Sequence, residues 1–339
     1  MFCILLAIIF IILYPILGIF SKEFRVMSRK AISCAFKKVT LKPCDQDFGA
    51  EVKAKLLGKI IFKYPRLAKF IDKSAGVIAL VIVVINIIGL LYFLNGALNL
   101  FVYDTCYPTN GASCSLSGEA CSIDQVSNPT LWETLSRIPN RLKTWEPKEY
   151  ISSTATYYNA YDSSKKTALE IIDPGCIICK NLFGNIKQAG FENKYNLTYI
   201  VYPIPQDGSY KFRNSYLIAT YLEALKMHPI KGAVTPADWA LIERIFTGKD
   251  ANGLDYQAGL NISYTTDQVN SFFTDSLRSF GYNDQEIASI KADASSDSVK
   301  AKLSEQKNSV ENVIKTIKIP TIMFNGKRYD RLISVDDLK

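Results

Sequence analysis

Residues 168–179 read Ala-Leu-Glu-Ile-Ile-Asp-Pro-Gly-Cys-Ile-Ile-Cys, and residues 319–321 read Ile-Pro-Thr. The first stretch combines an apolar strand, a tight turn and a cysteine where a helix would begin. A cysteine there lies near unpaired backbone N–H groups and the positive end of the helix dipole, which favour its thiolate. Cys176 and Cys179 share one face of that helix. The pair can therefore close a small disulfide ring and reopen it through a mixed disulfide with a substrate thiol.

Two further features support redox chemistry. Glu170 lies on the predicted strand, where a partly buried carboxylate could exchange protons with Cys179. The alternative is an outward-facing strand residue. Near the end of the chain, Lys318–Lys327 predicts a strand opened by a proline and closed by an Asn-Gly hairpin turn. If the Ile319–Pro320 bond is cis, the backbone beside it could face the sulfurs and pair with an extended substrate peptide.

This combination of motifs resembles the thioredoxin superfamily, and most closely its DsbA-like branch of extracytoplasmic thiol oxidoreductases. The resemblance covers roughly residues 155–339. The strand-helix-strand order around Cys176 and Cys179 predicts two parallel strands in a central sheet with helices on its faces. A mostly helical pattern over about 212–315 matches the helical insertion of such domains. The expected fold is therefore an α/β thioredoxin-like domain with a large helical insertion, preceded by two transmembrane helices.

The resemblance also implies roles for individual residues. Cys176 would be the exposed nucleophile, Cys179 the buried resolving thiol, Glu170 the proton relay and Pro320 the cis proline. The residues expected to contact substrate are Ile177, Ile178, Ile319 and Thr321. Family oxidants usually carry Pro-His between the two cysteines, whereas this chain carries Ile-Ile. Stabilisation of the thiolate then rests on the helix N–H groups alone, so the direction of electron flow stays open.

Two apolar stretches predict transmembrane helices, at residues 1–20 and 75–102. A signal peptide is the competing interpretation of the first stretch. Against a signal peptide, the sequence has no charged region before the apolar core and no small-residue cleavage site after it. The loop between the two spans, 21–74, includes a segment at 50–73 that has the pattern of an amphipathic helix on the inner leaflet.

The charge of this loop predicts the topology. Residues 21–75 carry 14 Lys or Arg against 5 Asp or Glu, a net charge of +9, while the whole chain has a net charge of +8. The positive-inside rule places the loop in the cytoplasm and the redox domain on the extracytoplasmic side of the cell membrane. Nucleic-acid binding is the weaker interpretation, because few of the loop's aromatic residues are expected to be exposed and the loop is tethered close to anionic lipid.

The eight cysteines of the chain divide between the predicted compartments. Cys34 and Cys44 lie in the cytoplasmic loop, are expected to stay reduced, and have no histidine nearby to complete a zinc site. The candidates for a structural disulfide are Cys106, Cys114 and Cys121, in an extracytoplasmic neck at 103–150. Their pairing stays open. The third thiol could be free, form an intermolecular link, or act as a relay that exchanges with the redox pair.

The sequence thus predicts a membrane-anchored thiol-disulfide oxidoreductase whose domain spans 151–339 and whose substrates are extracytoplasmic protein thiols. The resemblance implies a membrane redox partner, either a quinone-linked oxidase or an electron donor, and no cofactor or metal. If the protein is an enzyme, the alternative activity is that of a disulfide reductase or isomerase. Two non-enzymatic alternatives are a copper chaperone, in which the two thiolates bind copper(I), and a thioredoxin-like adaptor. The last residues, 335–339, predict a helix just beginning, which leaves open that the sequence is a fragment.

Overall fold

The computed structural model describes residues 65–103, 121–122, 129–230, 232–316 and 318–339. The chain divides after Ala97, and Leu98–Lys339 form one compact unit. A search of the described residues for a helix with the length and hydropathy of a membrane span finds none. The first predicted span and most of the basic loop lie outside the described residues.

The helices and strands of the described residues follow in chain order. The helices are α1 (Pro65–Tyr103), α2 (Leu131–Leu142), α3 (Ile177–Ala189), α4 (Ser215–Leu225), α5 (Ala237–Thr247), α6 (Tyr256–Ala258), α7 (Thr266–Ser279), α8 (Asp284–Ala294), α9 (Asp297–Asn308) and α10 (Val335–Leu338). The strands are β1 (Cys121–Ser122), β2 (Lys166–Ile172), β3 (Tyr195–Val201), β4 (Pro205–Gln206), β5 (Ser209–Tyr210), β6 (Lys318–Ile319), β7 (Thr321–Phe324) and β8 (Lys327–Tyr329).

A four-stranded sheet in the order β3-β2-β7-β8 forms the centre of the domain. Strands β2 and β3 are parallel and are connected through α3, whereas β7 and β8 form an antiparallel hairpin beside β2. The side chains of β2 are buried from Thr167 to Ile172, as expected for a strand covered on both faces. This arrangement confirms the predicted thioredoxin-like α/β fold.

Helix α3 begins after Cys176, as the sequence predicts, and ends at Gly190. Cys176 is its N-cap residue, in an extended conformation, and Gly190 ends it with a φ of 59°. The Gly190 N–H donates to the carbonyl oxygens of Ile186 and Lys187. A glycine adopts this left-handed conformation without a steric penalty, so the chain can turn back into β3.

The segment between β5 and β6 is helical, as predicted, and forms a cap of helices α4 to α9 beside the sheet. Its large side chains belong to the same hydrophobic core as those of β2 and α3. Trp239 and Phe273 are fully buried, and Phe246 is 2% exposed. The cap aromatics are thus mainly core residues.

Helix α1 differs in extent from the prediction. The predicted second span begins at residue 75, but α1 is continuous from Pro65, so part of the predicted amphipathic segment at 50–73 joins the same helix. Proline suits the first position of a helix because its missing N–H would have no partner there. The last turn of α1 contacts the domain, where Lys318 Nζ donates to the carbonyl oxygen of Tyr103 at 3.2 Å.

The close packing of the cap on the turn before α3 predicts the effect of one substitution. A Cβ atom added at Gly175 would lie 2.3 Å from Phe212 Cβ and 2.6 Å from Ser215 Oγ, whereas one added at Gly184 meets nothing within 4 Å. We expect Gly175→Ala to destabilise the protein by about 1–3 kcal/mol, the usual cost of overpacking. Gly184→Ala, on an exposed helix surface, is the matched control and should be neutral or stabilising. Urea unfolding of both variants in detergent tests this, and equal midpoints would contradict it.

Candidate active site

Cys176 lies at the junction of strand β2 and helix α3. Its backbone N–H donates to the carbonyl oxygen of Asp173 at 3.0 Å, and its own carbonyl accepts from the Lys180 N–H at 3.2 Å. No side-chain hydrogen bond caps the helix. The first-turn N–H groups, which have no partners within a helix, therefore surround the Cys176 position as predicted.

The Ile319–Pro320 loop lies against this cysteine. The Ile319–Pro320 peptide bond is cis, as the resemblance implies. Cys176 Sγ lies 4.0 Å from the carbonyl oxygen of Ile319, although the two residues are 143 positions apart in the sequence. At this distance the contact is too long for a strong hydrogen bond. The pairing of β7 with β2 in register holds the loop next to the start of α3.

The state of Cys176 differs from the prediction in two ways. The resemblance implies an exposed nucleophile, but Cys176 has no exposed surface in the structure. In addition, Cys176 is disulfide-bonded while Cys179 is a free thiol, so the bond does not join the predicted redox pair. The Ile319 carbonyl lies against the sulfur on one side, and the disulfide bond takes up its bonding position.

Cys179 and Glu170 lie buried beneath this position. Neither has more than 1% of its surface exposed, so Glu170 is not the outward-facing strand residue of the alternative interpretation. Burial raises the pKa of the Glu170 carboxyl to about 8, and its Oε1 atom has no hydrogen-bond partner. Burial also raises the pKa of Cys179 well above its ordinary value. A hydrogen bond from the Asp173 backbone opposes this rise, and the Glu170 and Asp173 carboxylates add to it.

A second buried carboxylate, Asp173, fixes the turn between β2 and α3. It accepts hydrogen bonds from the Gly175 N–H at 2.8 Å, the Ile204 N–H at 2.7 Å and the Ser215 hydroxyl. Burial raises the pKa of this carboxyl to about 6, although these bonds lower it. The sequence predicts this residue only as part of a turn, because its partners Ile204, which follows β3, and Ser215 on α4 cannot be read from the local pattern.

Two amides from the helical cap hold the same turn from the other side. The buried Gln257 donates through Nε2 to the carbonyl oxygens of Pro174 at 2.9 Å and Cys176 at 3.0 Å. Asn261 donates to the carbonyl of Gly175 at 3.0 Å. Sequence analysis missed both residues, and no local signal identifies them. The cap thus fixes the backbone around Cys176 as well as packing on the sheet.

The Ile319–Pro320 loop has its own polar support. The Thr321 hydroxyl contacts the carbonyl of Lys318 and the Asp330 carboxylate, both at 2.8 Å, and lies 2.7 Å from the Thr316 hydroxyl. Burial raises the pKa of Asp330, but the Arg328 guanidinium and the threonine hydroxyls outweigh this, and the pKa is lowered. Asp330 is therefore an ionised acceptor that organises the loop.

The residues expected to contact substrate lie around the two cysteines but differ in exposure. The Ile177 side chain is 52% exposed, whereas Ile178 is 8% exposed and Ile319 and Thr321 are fully buried. Ile177 therefore presents an apolar surface next to Cys176, while Ile178 is part of the core. The substrate contacts themselves stay predictions. Within the described ranges, no group of three or more His, Cys, Asp or Glu side chains could hold a metal ion.

Of the three neck cysteines, only Cys121 lies within the described residues. Cys106 and Cys114 lie outside the described residues. Cys121 lies in strand β1, which pairs antiparallel with β6, and its Cα partner is Ile319. This strand pairing was not predicted, because a two-residue strand gives no periodic signal.

Comparisons with known proteins give matches at the level of structure alone. No protein-family model matches the sequence, and a search of curated proteins finds no match. One similar solved structure is the thiol-disulfide exchange protein alpha-DsbA2 from Wolbachia pipientis, with 16% identity over 56% of this chain and 87% of that chain, and a TM-score of 0.40. Another is the MdbA thiol-disulfide oxidoreductase from Corynebacterium diphtheriae, with 13% identity over 56% of this chain and 95% of that chain, and a TM-score of 0.39. A third is ScsC from Proteus mirabilis, with 15% identity over 56% of this chain and 71% of that chain, and a TM-score of 0.38.

The raised pKa of Glu170 predicts a pH dependence of stability. Because the folded-state pKa, about 8, exceeds the ordinary value of 4.5, the native state retains a proton that the unfolded state releases. Stability should therefore fall as pH rises from about 4.5 to about 8, by up to about 1.4 kcal/mol per pH unit. The raised pKa of Asp173 lowers the free energy of unfolding in the same way, but only as pH rises to about 6, its folded-state pKa.

We expect Glu170→Gln to remove the part of this fall above pH 6. The measurement is the free energy of unfolding by urea at pH 6.5, 7.25 and 8, for wild type and variant in detergent. The difference in the free energy of unfolding between wild type and variant should change steadily with pH. A constant difference over this range would mean that the carboxyl does not titrate there.

Proposed function

We propose that this protein is a membrane-anchored thiol-disulfide oxidoreductase that forms or exchanges disulfides in extracytoplasmic proteins through Cys176 and Cys179. One observation carries the proposal. Cys176 is disulfide-bonded beside the Ile319 carbonyl while Cys179, one helical turn further on, is a buried free thiol. This is the arrangement of a mixed-disulfide intermediate, in which one cysteine holds the substrate sulfur and the second can displace it.

In the oxidising direction, the cycle starts from a disulfide between the two cysteines. A client thiolate attacks Cys176 Sγ, the bond to Cys179 breaks, and the electron pair leaves on the Cys179 sulfur, which then takes a proton. A second client thiolate attacks the client sulfur of the mixed disulfide and releases the Cys176 thiolate. The client loses two electrons and the enzyme gains them, so a membrane redox partner must remove them before the next cycle.

Glu170 is suited to move the proton of Cys179. The Cys179 thiol is fully desolvated, and the Glu170 and Asp173 carboxylates both raise its pKa. Each disfavours a thiolate while it is ionised. A carboxyl whose pKa is about 8 is largely protonated at neutral pH and can give a proton to the leaving thiolate. In the reverse step the ionised carboxylate takes the proton as Cys179 attacks.

The edge of strand β6 is the proposed docking position for the client. Lys318 and Ile319 present backbone groups that pair with an extended segment, here the two residues of β1. Strand addition of this kind gives affinity through main-chain hydrogen bonds and tolerates varied side chains. The exposed Ile177 side chain adds apolar contact near the bond. Clients of different sequence could therefore use one site.

Helix α1 and the segment before it support the membrane anchor and the two-pass topology. The exposed apolar side chains of α1 include Val84, Ile85, Ile87, Ile88, Leu90, Leu91, Tyr92, Phe93 and Leu94. Such a surface is unfavourable in water and favourable in lipid. By the positive-inside rule, the basic segment before it supports an extracytoplasmic position for the redox domain. The proposed partners are thus client thiols, a lipid bilayer, and a quinone-linked oxidase or an electron donor within it.

The Ile-Ile dipeptide keeps a reductase or isomerase as a second candidate within the same chemistry. The reduction potential of the Cys176/Cys179 pair distinguishes the directions. A value near that of thioredoxin, about −270 mV, favours a reductant, and one more than about 100 mV higher favours an oxidant.

Replacement of each cysteine tests the proposed roles. We expect Cys176→Ser to abolish insulin reduction and thiol oxidation, because it removes the sulfur that binds the client. Cys179→Ala should instead accumulate mixed disulfides with client proteins in native membranes, because release then depends on an outside thiol. Non-reducing gels and mass spectrometry of the trapped species measure this. If both variants retain wild-type exchange activity, the cysteines are structural and the adaptor interpretation holds.

The proton relay predicts a pH-dependent rate. Resolution of a mixed disulfide between Cys176 and a small thiol should accelerate as pH rises towards about 8, because ionised Glu170 then accepts the proton of Cys179. We expect Glu170→Gln to slow this step by about 10²–10⁴-fold, the usual contribution of a positioned base, and to flatten the profile. Rapid-quench kinetics between pH 6 and pH 9 measure the step. An unchanged profile in the variant would exclude the relay.

A further inference from the structure

The disulfide bond of Cys176 requires a partner that is not Cys179, because Cys179 is a free thiol. The chain has eight cysteines, so six others remain. Cys121 is the one that belongs to the described part of the chain, and its backbone lies at the site. It is the Cα partner of Ile319, whose carbonyl oxygen lies 4.0 Å from Cys176 Sγ.

The geometry of the strand pair places the backbone of Cys121 close to the site. Directly opposite residues of an antiparallel pair have Cα atoms about 4.5–5.5 Å apart, so the Cys121 Cα lies that close to the Ile319 Cα. A disulfide joins cysteines whose Cα atoms are about 4.4–6.8 Å apart. The Ile319 carbonyl oxygen lies 4.0 Å from the Cys176 sulfur, so the backbone of Cys121 lies one strand spacing from a residue that contacts this sulfur. That separation is of the order that a disulfide spans.

We propose that Cys121 is the disulfide partner of Cys176, and that strand β1 occupies, within the same chain, the position that an extended client would take on β6. The inference rests on the proposed function, since it treats β6 as the client strand. Strand β1 is then a tethered internal substrate. Its bond occupies the Cys176 sulfur and competes with clients at high effective concentration, because β1 and Cys176 are parts of one chain.

Release of this internal substrate needs no outside oxidant. The Cys179 thiolate attacks Cys176 Sγ, the bond between Cys176 and Cys121 breaks, and the electron pair leaves on the Cys121 sulfur, which takes a proton from solvent. The proton of Cys179 passes to the Glu170 carboxylate. The total number of disulfides is unchanged, and the Cys176/Cys179 disulfide so formed is the oxidising form of the enzyme. Burial of Cys179 makes its thiolate scarce, so the internal bond persists.

Disulfide mapping of the full chain tests the bond directly. The protein is purified in detergent without reductant after thiol blocking, and peptides are mapped by non-reducing digestion and mass spectrometry. We expect a peptide pair joining Cys121 to Cys176, with Cys179 blocked as a free thiol. The pair should be lost in Cys121→Ser and kept in the matched controls Cys106→Ser and Cys114→Ser. A bond from Cys176 to Cys106, Cys114 or Cys179 instead, before and after mild oxidation with diamide, would overturn the proposal.

A second measurement follows access to the sulfur. Cys176 has no exposed surface in the bonded state. In purified chain that also carries Cys179→Ala, reduced and then reoxidised in the absence of other thiols, a maleimide should not label Cys176 when Cys121 is present, and should label it completely in the Cys121→Ser variant. Equal labelling would show that β1 does not occupy the site.

The outcomes separate this inference from the proposed function. If Cys176 bonds to Cys179 alone and thiol exchange is intact, the internal substrate is disproved and the oxidoreductase stands. If Cys121 bonds to Cys176 but neither wild type nor Cys121→Ser catalyses exchange under any redox buffer, the bond stands and the enzymatic function fails. Higher exchange activity in Cys121→Ser than in wild type supports both.

Discussion

The contact between Cys176 and the Ile319 carbonyl is the constraint on which the site depends. A 4.0 Å contact joins residues that lie 143 positions apart, and two sets of buried polar groups hold its two sides. Asp173, Gln257 and Asn261 fix the turn that carries the cysteine. Thr321 and Asp330 fix the loop that carries the carbonyl. Because each buried group is costly to leave unpaired, these networks favour a single arrangement of the two segments.

Desolvation links the stability of this domain to its chemistry. A sheet buried on both faces leaves no water for Glu170 or Cys179, so both groups favour their neutral forms. Apolar residues at these positions would pack without that cost. Under the proposed function, the Glu170 carboxyl, which acts electrostatically on the buried Cys179 thiol, provides a proton acceptor where bulk water is absent. The burial that lowers stability near neutral pH would then also supply the means to ionise Cys179.

Local sequence patterns were sufficient for the framework of this site. The strand before Cys176, the helix after it, the Gly190 end of that helix and the Pro320 loop are each encoded within a few residues, and the structure confirms them. The state of Cys176 could not be predicted in the same way, because its burial and its bond depend on distant segments. The roles of Gln257 and Asn261 were missed for the same reason, since a helical pattern does not state what its polar face contacts.

The hydrogen bond from Lys318 to the last turn of helix α1 gives this residue two structural roles. Its backbone belongs to strand β6, which pairs with β1, and its side chain binds the carbonyl oxygen of Tyr103. Lys318 is buried, so removal of the ammonium group would leave a buried carbonyl without this donor. A substitution at Lys318 would therefore disturb the end of the helix and the strand pair together.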